Sequence, residues 1–427
     1  MRATGTRYGR VRTFAALATL FFLSILSTGA FPAAFTQEQP EIRALWVLRT
    51  SLSSPESIDT LVAAAQQNGF NTLLVQVRGR GDAYYSSALE PRAAELQRQP
   101  LTFDPLATVL DRARAAGLAV HAWVNVNLIS SAVDLPIARN HIVMRYPDWL
   151  MVPRDLAQEL ARVGTASPSY VGRLARWTRA QQEEIEGLYA SPAIPAAARH
   201  VEAVVRDIAK RYPVDGIHLD YARYPSNRFD YSAGALAEFR ASVRPTLASA
   251  VRRELDSRER IDLFAYPDAL PEEWKAFRIA RMSALMSKLR AAVKSVRADA
   301  LVTLAAAPEL DEAINHKFQD WRTWIQTGVV DAVAPMAYTP EAARFAEQIS
   351  AARDIAGGKS IWAGIGAYRL SAAETVQNIH TARRLGTAGI VLFSYDSLID
   401  PRQTNANYLA TVGRAAFSRS TASDGLR

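Results

Sequence analysis

Short apolar runs alternate along the chain with longer stretches whose apolar residues recur at helical spacing. The runs favour strands that are buried on both faces, and the longer stretches favour helices that cover them. The predicted strands cover residues 44–48, 71–77, 118–126, 214–221, 301–306, 330–336, 360–365 and 389–394. The predicted helices cover residues 55–68, 104–116, 196–212, 234–255, 271–296, 321–326, 340–355, 372–385 and 405–417.

Eight strands, each followed by a helix, predict an α/β fold, a closed (β/α)8 TIM barrel over residues 43–417. An open doubly wound sheet is the competing architecture, but no Gly-x-Gly-x-x-Gly motif follows the first strand. Residues 128–195 form a long insertion after strand 3, and an interval of this length predicts a lid or an inserted subdomain. The shorter interval 258–270 is expected to hold a short extra strand.

Both ends of the chain are expected to lie outside the barrel. In residues 1–34, four arginines precede an apolar run over 14–26, and small residues follow it. This order is typical of a secretory signal peptide, with an uncleaved N-terminal membrane anchor as the alternative. A tether is predicted over 35–42 and a disordered tail over 418–427. We therefore expect an exported protein, periplasmic or extracellular.

Composition excludes several kinds of site. The chain has no cysteine, which excludes disulfides, thiolate metal sites and a cysteine nucleophile. The net charge is +8, but the arginines are scattered over helices, so a solvated basic surface is favoured over nucleic-acid binding. The histidines are dispersed, and neither His-Glu-x-x-His nor Gly-x-Ser-x-Gly occurs. His218 and Asp220 could share an ion, but neither a metal nor a cofactor is predicted.

The segment 214–225 carries the strongest chemical signal, because an apolar strand runs there into a carboxylate, a guanidinium and aromatic residues. Side chains alternate along a strand, so His218 and Asp220 share one face. In barrels of this type the active site lies where the carboxyl ends of the strands converge. Asp220 is expected there, as the last residue of its strand.

Polar and aromatic residues at other predicted strand ends should meet Asp220 at this mouth. They would bind substrate, and aromatic rings there would stack on the apolar faces of sugars. The alternative role for Trp46 and Trp123 is packing in the core, and the alternative role for Asn127 is capping of a helix. The predicted substrate-binding residues are Trp46, Gln76, Arg78, Trp123, Asn125, Asn127, His218, Tyr221, Arg223 and Tyr338.

Carboxylate chemistry remains once the other sites are excluded. Cleavage of a glycosidic bond requires an acid that protonates the departing oxygen and a second carboxylate that attacks the anomeric carbon or activates water. Asp220 is the leading candidate, and its partner is expected to be Glu309 after strand 5 or Asp396 after strand 8, although Asp396 could instead cap a helix. Arg223 is expected to hold Asp220 ionised, which favours a nucleophile or base over an acid.

The segment Asp-Gly-Ile-His-Leu-Asp-Tyr-Ala-Arg-Tyr-Pro at 215–225 resembles the glycosyl hydrolase-like family 10 of bacteria. Segments at 187–193, 43–47, 71–78, 334–338 and 392–396 are similar to other signatures of that family. The resemblance implies an exported (β/α)8 barrel that hydrolyses a glycan, with Asp220 as the leading catalytic carboxylate. Members of that family include glycosidases that act on peptidoglycan glycan strands. Some members carry a second acidic residue directly after that aspartate, where this chain has Tyr221.

The sequence therefore predicts an exported glycoside hydrolase that cleaves O-glycosidic bonds of a cell-wall or environmental polysaccharide, peptidoglycan glycan strands included. The alternative from another class is a non-catalytic glycan-binding TIM barrel. A Schiff-base lyase is a third possibility, but no lysine ends any of the predicted strands.

Overall fold

The computed structural model of the chain describes residues 40–400 and 407–418. The predicted signal peptide or anchor, most of the tether and nearly all of the tail lie outside these residues. Ten strands occur within the described residues, eight in a closed barrel and two in a separate pair. They are β1 (Ile42–Val47), β2 (Thr72–Arg78), β3 (Ala119–Asn125), β4 (Leu128–Ser130), β5 (Leu188–Tyr189), β6 (Gly216–Asp220), β7 (Leu301–Ala306), β8 (Ala332–Ala337), β9 (Ser360–Ile365) and β10 (Gly389–Phe393).

The barrel closes in the order β1, β2, β3, β6, β7, β8, β9 and β10, and every neighbouring pair is parallel. Helices connect its strands, so the predicted (β/α)8 barrel is confirmed. The strands β4 and β5 pair antiparallel inside the insertion that follows β3.

Sixteen α-helices lie within the described residues. They are α1 (Pro55–Gln67), α2 (Pro105–Ala115), α3 (Ile142–Arg145), α4 (Arg154–Val163), α5 (Ser169–Ala180), α6 (Pro195–Arg211), α7 (Ala233–Val243), α8 (Ser249–Glu259), α9 (Ala265–Ala269), α10 (Pro271–Lys294), α11 (Leu310–Asn315), α12 (Trp321–Gln326), α13 (Ala342–Ala356), α14 (Ala372–Arg384), α15 (Tyr395–Leu398) and α16 (Tyr408–Val412). None of them combines the length and apolar character that a membrane crossing requires.

Side chains that alternate along the strands build two cores. Those that point outwards pack against the helices, as Val75 and Ile217 do. Those that point inwards fill the barrel. The largest of these side chains are Trp46, Trp123 and Trp362. Space inside is tight: a Cβ atom on Gly216 would lie 2.5 Å from the ring of His121. The filled interior leaves the mouth of the barrel as the place for a site.

The insertion after β3 has a hydrophobic core of its own. Trp149, Leu160 and Leu174 are buried there together with Phe239 of α7 and Trp274 of α10. The insertion is therefore a packed layer beside the barrel, and the β4–β5 pair connects it to the end of β3.

Three predicted elements differ from the structure. The helix predicted over 234–255 is two helices, α7 and α8, separated by the 3-10 turn Arg244–Thr246, because Pro245 lacks the N–H that a continuing helix needs. The extra strand predicted within 258–270 is absent, since this interval holds the end of α8, turns and helix α9. The last predicted helix, over 405–417, is helix α16 followed by a π-helical turn at Gly413–Phe417, and residues 405 and 406 lie outside the described residues.

Candidate active site

A cavity of about 470 Å³ opens at the carboxyl ends of the barrel strands. Its wall is made by the last residues of several strands, by the loops that follow them and by the insertion. The structure brings together eight of the predicted site residues here, namely Trp46, Gln76, Trp123, Asn125, Asp220, Tyr221, Arg223 and Tyr338. The remaining predicted residues lie outside the cavity wall.

Asp220 is the last residue of β6, and its carboxyl group lies in the cavity with 7% of the residue exposed. The backbone N–H of Tyr221 donates to Oδ1 of Asp220 at 2.6 Å. Burial raises the pKa of Asp220 to about 6, because it outweighs that hydrogen bond and the positive charge of Arg223. Asp220 therefore keeps its proton to higher pH than a carboxyl group in water, as a general acid must.

Tyr221 adopts a left-handed backbone conformation with φ of 49°. For a residue with a side chain, this conformation costs about 1–2 kcal/mol relative to the right-handed region. Its carbonyl accepts a hydrogen bond from the N–H of Asn127 at 3.2 Å, and its ring lies 4.8 Å from the guanidinium carbon of Arg223. These contacts hold the conformation that aims the N–H of Tyr221 at Asp220.

Glu186 is the second carboxylate in the cavity wall, and sequence reasoning did not select it. It lies in the insertion, two residues before β5. Arg223 donates from Nη2 to Oε1 of Glu186 at 2.6 Å, and the hydroxyl of Tyr189 donates to Oε2 at 2.6 Å. Burial raises the pKa of Glu186, but the charge of Arg223 and these hydrogen bonds outweigh it, so the pKa falls below its ordinary value.

The two carboxyl groups are coupled, because the charge of Glu186 contributes to the raised pKa of Asp220. One group is thus disposed to carry a proton and the other to be ionised, which is the division of roles that acid–base catalysis needs. The expectation that Arg223 holds Asp220 ionised is corrected, because the guanidinium is bound to Glu186 instead. Nη1 of Arg223 is buried and has no hydrogen-bond partner among the described residues.

Neither predicted partner of Asp220 lies in the cavity wall. Glu309 precedes α11 and accepts hydrogen bonds from Arg344 at 3.0 Å and Gln348 at 2.5 Å. Asp396 accepts from the N–H of Leu48 at 2.7 Å and from Ser51 at 2.6 Å. Asp396 thereby fastens the loop after β1 to the segment after β10. The second carboxylate in the cavity wall is that of Glu186.

Gln76 and Arg78 were both expected to bind substrate, but the pairing of β2 with β3 shifts register between these two residues. The extra residue breaks the alternation of side chains, so Gln76 reaches the cavity and Arg78 does not. Arg78 is 1% exposed, and its Nη2 lies 2.6 Å from Oε1 of Glu90. His200 contacts the same oxygen at 3.0 Å, which makes this group a buried structural cluster.

Asn127 lies past the end of β3 and is also buried, with Nδ2 3.8 Å from Sδ of Met282. His218 is fully buried beneath the cavity, where its Nε2 accepts the indole N–H of Trp46 at 2.9 Å. Nδ1 of His218 must then carry the proton that it donates to Thr303, 2.9 Å away. Burial lowers the pKa of His218, so a neutral imidazole fixes the orientation of Trp46.

Aromatic rings make one side of the cavity. Trp46 meets Tyr338 edge to face at 6.1 Å between ring centroids, and Tyr338 stacks on Phe393 at 5.3 Å. Beyond them, the indole of Trp123 donates to Oδ1 of Asn125 at 2.9 Å, and Nδ2 of Asn125 donates to the carbonyl of Gly79 at 2.8 Å. An apolar wall beside fixed amide groups suits a sugar ring, which is apolar on its faces and polar at its rim.

The model of the family Glycosyl hydrolase-like 10 matches residues 41–381. The chain belongs to this family. The matched range contains every residue of the cavity wall except Phe393. Asp220 and Glu186 therefore both lie within the range that the family model matches.

Two curated relatives are glycosyl hydrolases by name. The chain is 24% identical over 349 residues to glycosyl hydrolase DigH of Escherichia coli K12, which covers 73% of this chain and 69% of that protein. It is 26% identical over 209 residues to glycosyl hydrolase YngK of Bacillus subtilis, which covers 45% of this chain and 35% of that protein. The chain thus spans about a third of the length of the Bacillus relative.

Solved structures support the fold of this family member. The glycoside hydrolase domain of PgaB (BpsB) from Bordetella bronchiseptica superposes with a TM-score of 0.61 at 16% identity, over 89% of this chain and 100% of that one. A β-galactosidase from the psychrophilic Marinomonas ef1 superposes with a TM-score of 0.58 at 12% identity, over 88% of this chain and 59% of that one.

Sequence reasoning also missed Arg49 and Arg80, which line the cavity from the loops after β1 and β2. Their positions one and three residues after the ends of two predicted strands were a usable signal. Glu186 offered a weaker one, as an acidic residue immediately before the segment at 187–193. Nothing in the sequence fixed the path by which a long insertion returns to the barrel mouth.

Proposed function

We propose that this chain is a glycoside hydrolase that cleaves O-glycosidic bonds in a polysaccharide, with Asp220 as the general acid. The observation that carries the proposal is the contrast between Asp220, which is buried in the cavity with a pKa of about 6, and Glu186, which Arg223 keeps ionised in the same cavity. A glycosidase needs one protonated and one ionised carboxyl group at the scissile bond.

In the proposed mechanism Asp220 gives its proton to the departing glycosidic oxygen. Glu186 acts as the second carboxylate, which attacks the anomeric carbon or removes a proton from the attacking water. Arg223 and Tyr189 hold Glu186 by one hydrogen bond on each oxygen, and each oxygen keeps a lone pair for the reaction. Tyr338 and Phe393, which pack on the buried Trp46, stack on the sugar and orient it.

We further propose that the substrate is met outside the cytoplasm, in a cell-wall or environmental polysaccharide. The support is the arrangement of arginines, apolar residues and small residues at the start of the sequence. Peptidoglycan glycan strands are one substrate of this type. The alternative function is non-catalytic glycan binding. The ion pair between Glu186 and Arg223 favours this alternative if the pair persists when a sugar is bound.

Hydrolysis and binding assays on charge-neutral variants test the proposal. Purified wild type, Asp220→Asn and Glu186→Gln are incubated with peptide-free peptidoglycan strands and with common polysaccharides, and new reducing ends are measured. Loss of a general acid lowers turnover by about 10²–10⁴-fold. We expect losses of this size in both variants, with glycan binding retained.

Glu309→Gln is the matched control, because it removes a carboxylate that lies outside the cavity wall. We expect its turnover to remain near that of wild type. Full hydrolysis by Asp220→Asn would contradict the catalytic assignment. Binding of glycans by wild type without any new reducing ends would favour the non-catalytic alternative.

A further inference from the structure

Two arginines in the cavity wall take no part in the proposed acid–base pair. Arg49 lies in the 3-10 turn after β1, and Arg80 lies in the loop after β2. The strands β1 and β2 are neighbours in the barrel, so their loops emerge side by side at its mouth. Both residues therefore line the space in which the substrate would lie.

Arg49 is held in place at the cavity wall. Its side chain is 10% exposed, and Nη2 lies 3.3 Å from Oε1 of Glu95, whose side chain is 40% exposed. A Cβ atom on Gly79 would collide with Nη1 of Arg49, so the glycine leaves the space that the guanidinium occupies. Asp396 adds a second constraint, because it binds the N–H of Leu48 and the hydroxyl of Thr50 on either side of Arg49.

Arg80 forms no ion pair with any carboxylate of the described residues. Burial lowers its pKa, and the nearby charge of Arg49 lowers it further, whereas Asp82, Glu95 and Asp134 act in the opposite direction. None of these three carboxylates belongs to the cavity wall. Arg49 and Arg80 are thus close enough for their charges to interact, and the carboxylates that offset the charge of Arg80 lie outside the cavity wall.

The charges of the cavity wall are unbalanced as a result. Its ionisable acids are Asp220 and Glu186, and Glu186 is already bound to Arg223. The guanidinium group of Arg80 has no carboxylate partner among the described residues, and the partner of Arg49, Glu95, lies outside the cavity wall. Guanidinium groups bind carboxylates through charge-assisted hydrogen bonds of well-defined geometry, so an anionic group of a ligand is the natural partner.

We infer that Arg49 and Arg80 form a carboxylate-binding subsite, and that the substrate is therefore an acidic glycan. This inference rests on the proposed function and narrows its substrate class. The carboxylate can come from a hexuronic acid or from a lactyl ether on an amino sugar. Both place a carboxylate on a sugar ring, and the experiment separates them.

The test measures binding in the Asp220→Asn background with two pairs of glycans. Peptide-free peptidoglycan strands are compared with chitin oligosaccharides, which lack the lactyl carboxylate. Polygalacturonate is compared with its fully methyl-esterified form. We expect the charged member of one pair to bind about tenfold more tightly than its neutral partner at low salt, and the difference to shrink as salt screens the charges.

Arg80→Gln and Arg49→Gln should each reduce that preference to about threefold or less, while the affinity for the neutral glycan stays the same. Arg114→Gln is the control, because it removes the same charge from an exposed position on α2 that does not belong to the cavity wall. It should leave the preference unchanged. Thermal unfolding curves that match the wild-type curve establish that the variants are folded. If Arg49→Gln does not fold, Arg80→Gln alone tests the subsite.

Equal binding of charged and neutral glycans, or a preference that survives both Arg49→Gln and Arg80→Gln, overturns the subsite. The wild-type chain separates this failure from failure of the proposed function. If it hydrolyses neutral glycans with no preference for charge, the subsite is wrong and the hydrolase proposal stands. If it neither binds nor cleaves any of the four glycans, both proposals fail.

Discussion

A carboxyl group buried at the end of a strand, as Asp220 is, holds its proton more firmly than one in water. The neighbouring residues in the sequence suggested the opposite, because Arg223 follows only three positions later. Residues so close in sequence need not pair in space, and here the left-handed backbone of Tyr221 redirects the chain between them. Arg223 reaches Glu186 of the insertion instead. The proton affinity of Asp220 is therefore a property of its surroundings.

The stability of the Asp220→Asn variant should depend on pH. The pKa of Asp220 is raised from 3.8 to about 6, so the folded state binds more protons than the unfolded state between these values, and wild-type stability falls as pH rises through them. The full difference corresponds to about 3 kcal/mol. Asp220→Asn should therefore be more stable than wild type by up to this amount at pH 7–8, and equally stable below pH 4.

Urea unfolding of both proteins across this pH range measures the difference. A variant that is less stable than wild type at pH 8 would contradict the assignment of a raised pKa.

The pKa of Glu90 is shifted in the opposite direction to that of Asp220. Burial raises its pKa, but the charge of Arg78 and the hydrogen bonds from His200 and Arg78 outweigh it and lower the pKa to about 2. Glu90→Gln leaves the buried Arg78 without its counter-charge, and we expect a loss of about 3–5 kcal/mol in the free energy of unfolding at pH 7. This depressed pKa contributes stability above pH 4.5, and the contribution is lost as pH falls towards 2.

The cost of Glu90→Gln should therefore shrink when unfolding is measured at pH 3. Arg112→Gln is the control, because Arg112 pairs with Asp59 at a site where both side chains are about half exposed. Its cost should stay below about 1 kcal/mol. If the two substitutions cost the same, the buried cluster is not the structural element described here.

At the scale of elements, the site depends on how the insertion returns to the barrel. The pair β4–β5 carries Glu186 to the cavity, and Gly187 lies between Glu186 and β5. A Cβ atom on Gly187 would collide with the carbonyl of Ser130 on β4 and lie 3.0 Å from the side chain of Leu128. A glycine is therefore required for the close approach of the two strands.

Gly187→Ala should push β5 away from β4 and displace Glu186. We expect kcat/KM on the cleaved glycan to fall by about tenfold or more, because displacement of a catalytic group by about 1 Å can cost 10²-fold. Gly172→Ala is the matched control in the same insertion, since a Cβ atom on Gly172 of α5 would meet open space. That variant should gain about 0.5–1 kcal/mol of stability and keep its activity. Wild-type kinetics in Gly187→Ala would show that the position of Glu186 does not matter.

At the scale of the whole molecule, the barrel supplies Asp220 and the insertion supplies Glu186, so the proposed catalytic pair exists only when both are assembled. The pKa values of the two groups are moved in opposite directions, upwards for Asp220 and downwards for Glu186. A reaction that needs the first protonated and the second ionised works between the two pKa values. The assembled site should therefore favour mildly acidic conditions.

The dependence of kcat/KM on pH measures this property. We expect activity to fall above pH of about 6, where Asp220 loses its proton, and to fall again on the acidic side, below the ordinary value of 4.5 for a glutamate. Glu186→Gln should abolish the acidic limb of whatever activity remains. A rate that stays constant up to pH 8 would exclude Asp220 as the general acid.

The sequence by itself determined the barrel, because eight apolar strands with intervening amphipathic helices leave few other ways to bury their surfaces. It also determined that Asp220 ends a strand and therefore lies at the mouth. Only the tertiary structure decided the partners. A bulge in β2 took Arg78 out of the site, burial set the protonation of Asp220, and the returning insertion brought Glu186 to Arg223. Alternation along a strand can be read from one chain, but contacts between distant loops depend on packing that no local pattern records.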